Sequence, residues 1–298
     1  MGGLKEIRRR LKSVSNTKKI TYAMKLVSAA KLRKTQEAVA RSRAYTDALK
    51  GVLAQLQAGS EFSHPLLEAK PEVKKIRVLI LGGARGLCGA FNTNVNRQVE
   101  IFFREKGEKG TIEINATILG KKPAEYFRRV AKPYVEAIEI LPDDPTAWPT
   151  DDVCQRLELE FLRGDFDELY LLYTRFRSAI SMKATVERLF PLDREALVVT
   201  QPAAAGAAGG AATGNTLFEP SPQLVFDAVV PRIVRAMVRQ AALDTKASEH
   251  ASRMTAMDNA TKNAKDLIHG LTLKRNKLRQ TGITSQLLDI VGGAEALK

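Results

Sequence analysis

From Leu4 to about Gln57 the chain contains no proline and one glycine, Gly51, while helix-forming residues dominate, so the segment predicts a single helix. At about 1.5 Å per residue, about 54 residues make a helix of about 80 Å. A compact globule of this chain length has a radius of gyration of only about 19 Å, so such a helix is expected to project as a rod. Apolar residues recur at Leu4, Ile7, Leu11 and Val14, give way at Lys18 and Thr21, and resume at Tyr45, Leu49, Val52 and Leu56. These are coiled-coil intervals with a polar break.

A second long helix is expected at the other end. After Pro220, Pro222 and Pro231 no further proline occurs, and the helical pattern runs to Gly292 and Gly293. Alternating steps of four and three pick out Leu243, Ala247, His250, Met254, Met257 and Thr261, then Ala264, Ile268, Leu271, Arg275 and Leu278. Most of these are apolar or small, so a partner helix can approach closely. The N-terminal helix is the natural partner, in an antiparallel pair.

The middle of the chain has another texture. Ile76 to Leu81 (IRVLIL), Thr111 to Leu119, Tyr134 to Leu141 and Glu168 to Thr174 read as strands, separated by helical stretches at Val95 to Lys106, Pro123 to Val130 and Asp151 to Arg163. Alternating strands and helices predict a small open α/β, Rossmann-like domain. Residues 201–214, QPAAAGAAGGAATG, carry no side chain able to anchor a core and read as a linker. The expected organisation is an N-terminal helix over 1–58, the α/β domain over 72–200, the linker over 201–216 and the C-terminal helix over 221–298.

Charge is concentrated rather than spread. Of the formal +14, residues 1–50 carry roughly 14 Lys or Arg against Glu6, Glu37 and Asp47. Residues 239–298 add about +4, which leaves the middle near neutral. Such a segment expects an acidic partner, whether nucleic acid, an anionic membrane surface or an acidic protein loop. The basic helix has only Tyr22 and Tyr45 for base stacking and no recognised nucleic-acid module, which argues against nucleic acid. No apolar stretch is long enough to span a bilayer, so membrane contact is expected only through partners. A hydrophobic content of 44% excludes extended disorder, and two cysteines, Cys88 and Cys154, cannot form a disulfide framework, which points to a reducing compartment or simply to no redox role.

The glycine-rich turn from Gly82 to Gly89 follows a strand, where phosphate loops sit, but it lacks the Lys-Ser/Thr pair of a P-loop and the G-x-G-x-x-G of a dinucleotide site. A structural turn is the better reading, and no cofactor is expected. Cys88 lacks a neighbouring base in sequence, and His64, His250 and His269 lack metal spacing. Asp143 with Asp144 and Asp151 with Asp152 flank prolines and read as loop and cap residues. No catalytic constellation emerges.

Both ends nevertheless carry long motifs. LKEIRRRLKSVSNTKKITYAMKLVSAAKLRK, Leu4 to Lys34, resembles the opening helix of the gamma subunit of F-type ATP synthase. ASEHASRMTAMDNATKNA from Ala247, through RQTGITSQLLDIVGGAEAL, resembles that family's closing helix and signature; RGLCGAFN (Arg85 to Asn92) and ELYLLYTRFRS resemble its middle. The resemblance implies a non-catalytic rotor shaft. Its terminal helices would form an antiparallel coiled coil inside a hexamer of alpha and beta subunits, and its α/β domain would sit on the c-ring beside epsilon. A peripheral position at the cytoplasmic face of a bacterial inner membrane is implied as well.

Carried over by position, Met24 and Lys25 fall where the shaft meets acidic lever loops of beta, and Arg279, Gln280 and Thr284 where it meets the beta catch region. Two departures are visible: Gln286 stands where the family signature has glutamate, and Gly83 and Ala84 stand where it has Ser-Asp. The cysteine-containing regulatory insert of the chloroplast form is not seen.

Overall fold

The computed structural model describes residues 2–57, 62–107, 112–193 and 218–295; the expected linker over 201–216 lies outside the described residues. In chain order the elements are α1 (Gly2–Gln57), β1 (Lys75–Leu81), α2 (Phe91–Gly107), β2 (Glu113–Leu119), α3 (Lys121–Arg129) and β3 (Tyr134–Ile138). There follow α4 (Thr150–Arg163), β4 (Glu168–Phe176), β5 (Met182–Phe190) and α5 (Pro222–Glu295). Two compact units result. One comprises Met1–Lys31, Leu87–Gly89 and Ser252–Lys298, the other Leu32–Gly86 and Ala90–Ala251, so each long helix contributes to both.

The second unit is built on a five-stranded sheet in the order β3-β2-β1-β4-β5. β1 pairs in parallel with β2 and with β4, and β2 pairs in parallel with β3. This is the expected open α/β arrangement, with the strand order reversing at β1. β5 was not expected. It runs antiparallel to β4 from Phe176↔Met182 to Leu169↔Phe190, after a tight turn in which Ser178 and Ser181 exchange backbone hydrogen bonds of 3.1 and 3.2 Å. Lys183, Glu187 and Arg188 interrupt its apolar pattern, as suits an edge strand, where charge discourages further pairing.

Alternation along β1 sends side chains to two faces. Leu79 and Leu81 join a core with Val153, Leu157 and Phe161 of α4, Leu53 and Leu56 of α1, and Phe226 to Ala242 of α5. On the other face, Phe102 of α2 meets the Tyr170 ring at 5.0 Å, and Phe103 meets Phe127 of α3 at 5.8 Å. α5 passes through Pro231 without breaking. The missing N–H forfeits one helical hydrogen bond, but Val229, Val230, Ile233 and Val234 around it are buried and offset the loss.

α5 also carries a buried polar stretch in this unit. Lys246 lies 3.1 Å from Glu249 and 3.5 Å from Asp143, while Thr245 and Ser248 hydrogen-bond the backbone of Thr174. Asp144 in the same loop accepts from Thr146 and from Lys34 of α1 at 3.0 Å, and these hydrogen bonds draw its carboxyl down to about 2. The 142–147 loop is thus tied to both long helices. Asp143 and Asp144 act as the loop and cap residues their sequence setting suggests.

The glycines after β1 have packing reasons. A Cβ on Gly82 would come within 2.6 Å of Pro123, and one on Gly83 within 2.7 Å of Asn92. Gly120, at φ +129, is more constrained, because its Cβ would meet the Gly82 carbonyl oxygen at 2.6 Å and backbone cannot swing aside. Gly120→Ala is therefore expected to cost about 3 kcal/mol or more through strain and clash. Gly51→Ala, inside α1 with nothing within 4 Å of the new methyl, is expected to gain up to about 1 kcal/mol. Urea unfolding of the two variants checks this opposition of sign.

Candidate functional site

In the first unit α1 and α5 run antiparallel, as their spacing requires. Gly3 lies against Leu278, the Thr21 and Thr261 hydroxyls are 2.8 Å apart, and Lys25 Nζ donates to Asp258 at 2.6 Å. The covered face of α1 steps through Ile7, Leu11, Val14, Lys18, Thr21, Lys25 and Ser28, all buried or half-buried. The polar break is therefore no break in register. Its polar residues stay on the seam, where Thr21 and Lys25 find polar partners on α5. Farther along, in the second unit, the same stepping continues through Leu32, Thr35, Val39, Thr46, Leu49, Leu53 and Leu56. Tyr45, expected on that face, is 52% exposed, one position off the stepping.

The loop segment Leu87–Gly89 belongs to this first unit. Gly89 (φ +56) would bring a Cβ to 3.7 Å from Ala256, and Leu87 stands in the left-handed region (φ 60) with 64% of its surface exposed. A bulky residue in that conformation is uncommon and is held by its surroundings.

The expected contact residues lie in two places. Met24 and Lys25 are half-buried on α1, and Lys25 is engaged by Asp258, which also takes Lys262 at 2.9 Å. Hydrogen bonds from Lys25 and then Lys262 hold the Asp258 carboxyl below its ordinary range. Arg279, Gln280 and Thr284 lie on α5 beyond Leu278 and are exposed; the Thr284 hydroxyl donates back to the Gln280 carbonyl at 3.0 Å. The structure groups Met24 with Lys25 and Arg279 with Gln280 and Thr284, but it does not bring the two groups together.

Sequence reasoning missed the apolar surface around both groups. Ile20, Tyr22, Leu26 and Val27 on α1 are 51–60% exposed, and Ile283, Leu287, Leu288, Ile290 and Val291 on α5 are 50–68% exposed. The signal was present in QLLDIV, where steps of four and three continued from Leu278 reach Gly282, Ser285 and Asp289 and leave Leu287, Leu288, Ile290 and Val291 off the seam. Exposed apolar surface this dense marks a contact with another molecule. Basic residues accompany it: Lys5, Arg8, Arg9, Lys12 and Lys19 are exposed along α1.

The second unit holds a cavity of about 470 Å³ lined by α1, β4, β5 and α5. Asp244 lies in its wall with its side chain only 4% exposed, 3.8 Å from Arg43. Burial pushes its carboxyl up to about 6, against the opposing pull of Arg43. Burial likewise raises the Tyr173 hydroxyl. Both cysteines are buried, and burial pushes the Cys154 thiol up to about 12. Among the described residues no cluster of His, Cys, Asp and Glu could hold a metal ion, and no helix is long and apolar enough to cross a membrane.

An antiparallel pair made of the chain's two ends, with a 3-2-1-4-5 sheet in the sequence between them, defines a chain of mixed α/β class. The family profile described as ATP synthase matches residues 3–297. The ATP synthase gamma chain of Bdellovibrio bacteriovorus is 39% identical over 299 residues, covering 100% of both chains. That of a Cyanothece species is 39% identical over 317 residues, again covering 100% of both. In fold, the chain is similar to one in the cryo-EM structure of the Euglena gracilis mitochondrial ATP synthase, OSCP/F1/c-ring, in rotational state 3. That likeness has a TM-score of 0.66 at 21% identity, covering 99% of this chain and 95% of that one. The chain belongs to the ATP synthase gamma chain family.

Two pH responses of opposite sign follow. Asp258 is held below its unfolded value, so its contribution is present above about pH 4 and is lost as pH falls through the folded value. Asp258→Asn should lower the urea midpoint at neutral pH, and the difference from wild type should vanish in strong acid. Asp244 is held above its unfolded value of about 3.9, so its burial as a charge costs stability above about pH 6 and the cost is relieved on acidification. Wild type should therefore gain about 2 kcal/mol relative to Asp244→Asn between pH 7.5 and pH 4.5. Paired unfolding curves across that range check it.

Proposed function

We propose that this chain is the central rotor shaft of an F-type ATP synthase, transmitting torque between a membrane c-ring and a catalytic alpha/beta hexamer. The observation that carries this reading is full-length kinship with chains named ATP synthase gamma chain. The antiparallel helix pair supports it, as does the exposed apolar and basic surface at the end of α5 and along α1, which needs a surrounding partner. The chain does no bond chemistry itself on this reading. Its asymmetric surface makes the three beta sites differ, and its rotation changes their nucleotide affinities.

The functional division proposed is shaft over 1–58 and 221–298, joined to the α/β body over 72–200 and a linker over 201–216. The body is proposed to sit on the c-ring beside epsilon, peripheral to the cytoplasmic face of a bacterial inner membrane. Met24 and Lys25 are proposed to face acidic lever loops of beta, to which the neighbouring cations are complementary. Arg279, Gln280 and Thr284 are proposed to face the beta catch region, where exposed polar groups can exchange hydrogen bonds between rotational states.

Pull-down of the tagged chain from detergent-solubilised native membranes tests the assembly: an active ATPase with two kinds of large subunit in excess should co-elute. A lone monomer, or nucleic acid alone, would overturn the assignment. At site level, Met24→Lys adds a cation beside acidic loops and strengthens one rotational state. Assembly should survive while proton pumping per ATP hydrolysed falls several-fold; an unchanged ratio counts against the placement of Met24.

A further inference from the structure

In the first unit one carboxylate serves two cations. Lys25 Nζ of α1 donates to Asp258 Oδ1 at 2.6 Å, and Lys262 Nζ, one turn farther along α5, lies 2.9 Å from Asp258 Oδ2. The two lysines hold different oxygens, so either can leave without breaking the other's contact. The group carries one positive charge in excess. The Lys262 side chain is 69% exposed against 29% for Asp258, so it neutralises the carboxylate from the solvent side of the seam.

This redundancy matters because Lys25 lies in surface that calls for a partner. Tyr22 and Leu26 beside it on α1 are exposed apolar side chains, and Lys25 itself keeps 35% of its side chain open. Two ammonium groups to one carboxylate make the spot attractive to an acidic group, and Lys19 adds a further exposed cation on the same helix. An arriving carboxylate therefore meets a lysine that is already paired. Without Lys262, drawing Lys25 away would leave a half-buried carboxylate with no cation, which opposes the move. With Lys262 in place, one ammonium–carboxylate contact is exchanged for another and no charge is stranded.

We propose that Lys25 is an exchangeable contact: a carboxylate on an acidic loop of the surrounding partner takes Lys25 from Asp258, and Lys262 keeps Asp258 neutralised in its absence. The exchange rests on the shaft reading above, in which an acidic loop meets this stretch of α1, and it adds positioning roles for Asp258 and Lys262. Asp258 holds the Lys25 ammonium at the seam between encounters, and Lys262 sets how readily it is released. The flexible four-carbon stem of lysine lets the ammonium swing outward with the backbone in place. Register is kept meanwhile by Thr21 and Thr261, whose hydroxyls are 2.8 Å apart one turn away.

Carbodiimide coupling tests this, since it turns an amine and a carboxylate in contact into an amide with no spacer, and mass mapping of the peptides locates each amide. The free full chain should give the amide between Lys25 and Asp258. In the assembled complex that amide should fall several-fold, an amide from Lys25 to a partner carboxylate should appear, and the amide between Asp258 and Lys262 should persist. Lys262→Ala should lower the partner amide several-fold with assembly unchanged, and Lys262→Arg, which restores a cation, should bring it back. A complex that assembles with Lys25 coupled to Asp258 as in the free chain, or a Lys262→Ala variant with undiminished partner coupling, would overturn the exchange and leave the shaft reading standing. A chain that captures no ATPase subunits would overturn both.

Discussion

Each of the two terminal helices has an apolar and small-residue stripe too long to be covered by a sheet domain of ordinary size, so each must be covered by the other. In the first unit that mutual cover is the alternating three- and four-residue step, with Gly3 at Leu278, Thr21 at Thr261 and Lys25 at Asp258. Antiparallel direction follows because the helices are the two ends of one chain and their contacts pair rising numbers with falling ones. Everything else about the surface depends on which residues this step hides and which it leaves out.

The seam is polar where an apolar seam would have been more stable. Thr21 and Lys25 on α1 and Thr261 and Asp258 on α5 sacrifice apolar burial, and their hydrogen bonds return little net energy. What they supply is register. An apolar helix pair can slip by a heptad with modest loss, whereas a slip here separates Lys25 from Asp258 and Thr21 from Thr261 together. The second unit shows the same device in a drier place, where Lys246 is held by Glu249 and Asp143 and where Thr245 and Ser248 are pinned to Thr174. Removing one member of that group would strand a buried charge, so the arrangement specifies one docking of α5 on the sheet.

Long-period features were legible in the sequence. Both helices, their antiparallel pairing and four of the strands follow from periods of 3.5 and 2, because those periods reflect burial on one face. β5 escaped because an edge strand buries little and its charges, Lys183, Glu187 and Arg188, fall on both faces, which erases the signal that burial leaves. Tyr45 misled because an aromatic ring one position off the stepping resembles a seam residue by composition. The apolar end of α5 was read as helix but not as surface, since periodicity reports which residues could be buried, not whether anything within the chain covers them. Met24, Lys25, Arg279, Gln280 and Thr284 are expected contacts by motif resemblance alone, and the geometry adds that Lys25 already has a carboxylate while Arg279 and its neighbours stand exposed.

That difference separates two kinds of surface on the helix pair. Lys25 shares Asp258 with Lys262, so its charge reaches solvent as part of a three-membered group and not alone. Beyond Leu278 the surface mixes apolar side chains with uncommitted polar ones, and apolar contact is non-directional. Contact with such a surface rests on area rather than on a fixed set of bonds. The directional contacts from one helix to the other, Thr21 with Thr261 and Lys25 with Asp258, lie on the seam, where they oppose sliding.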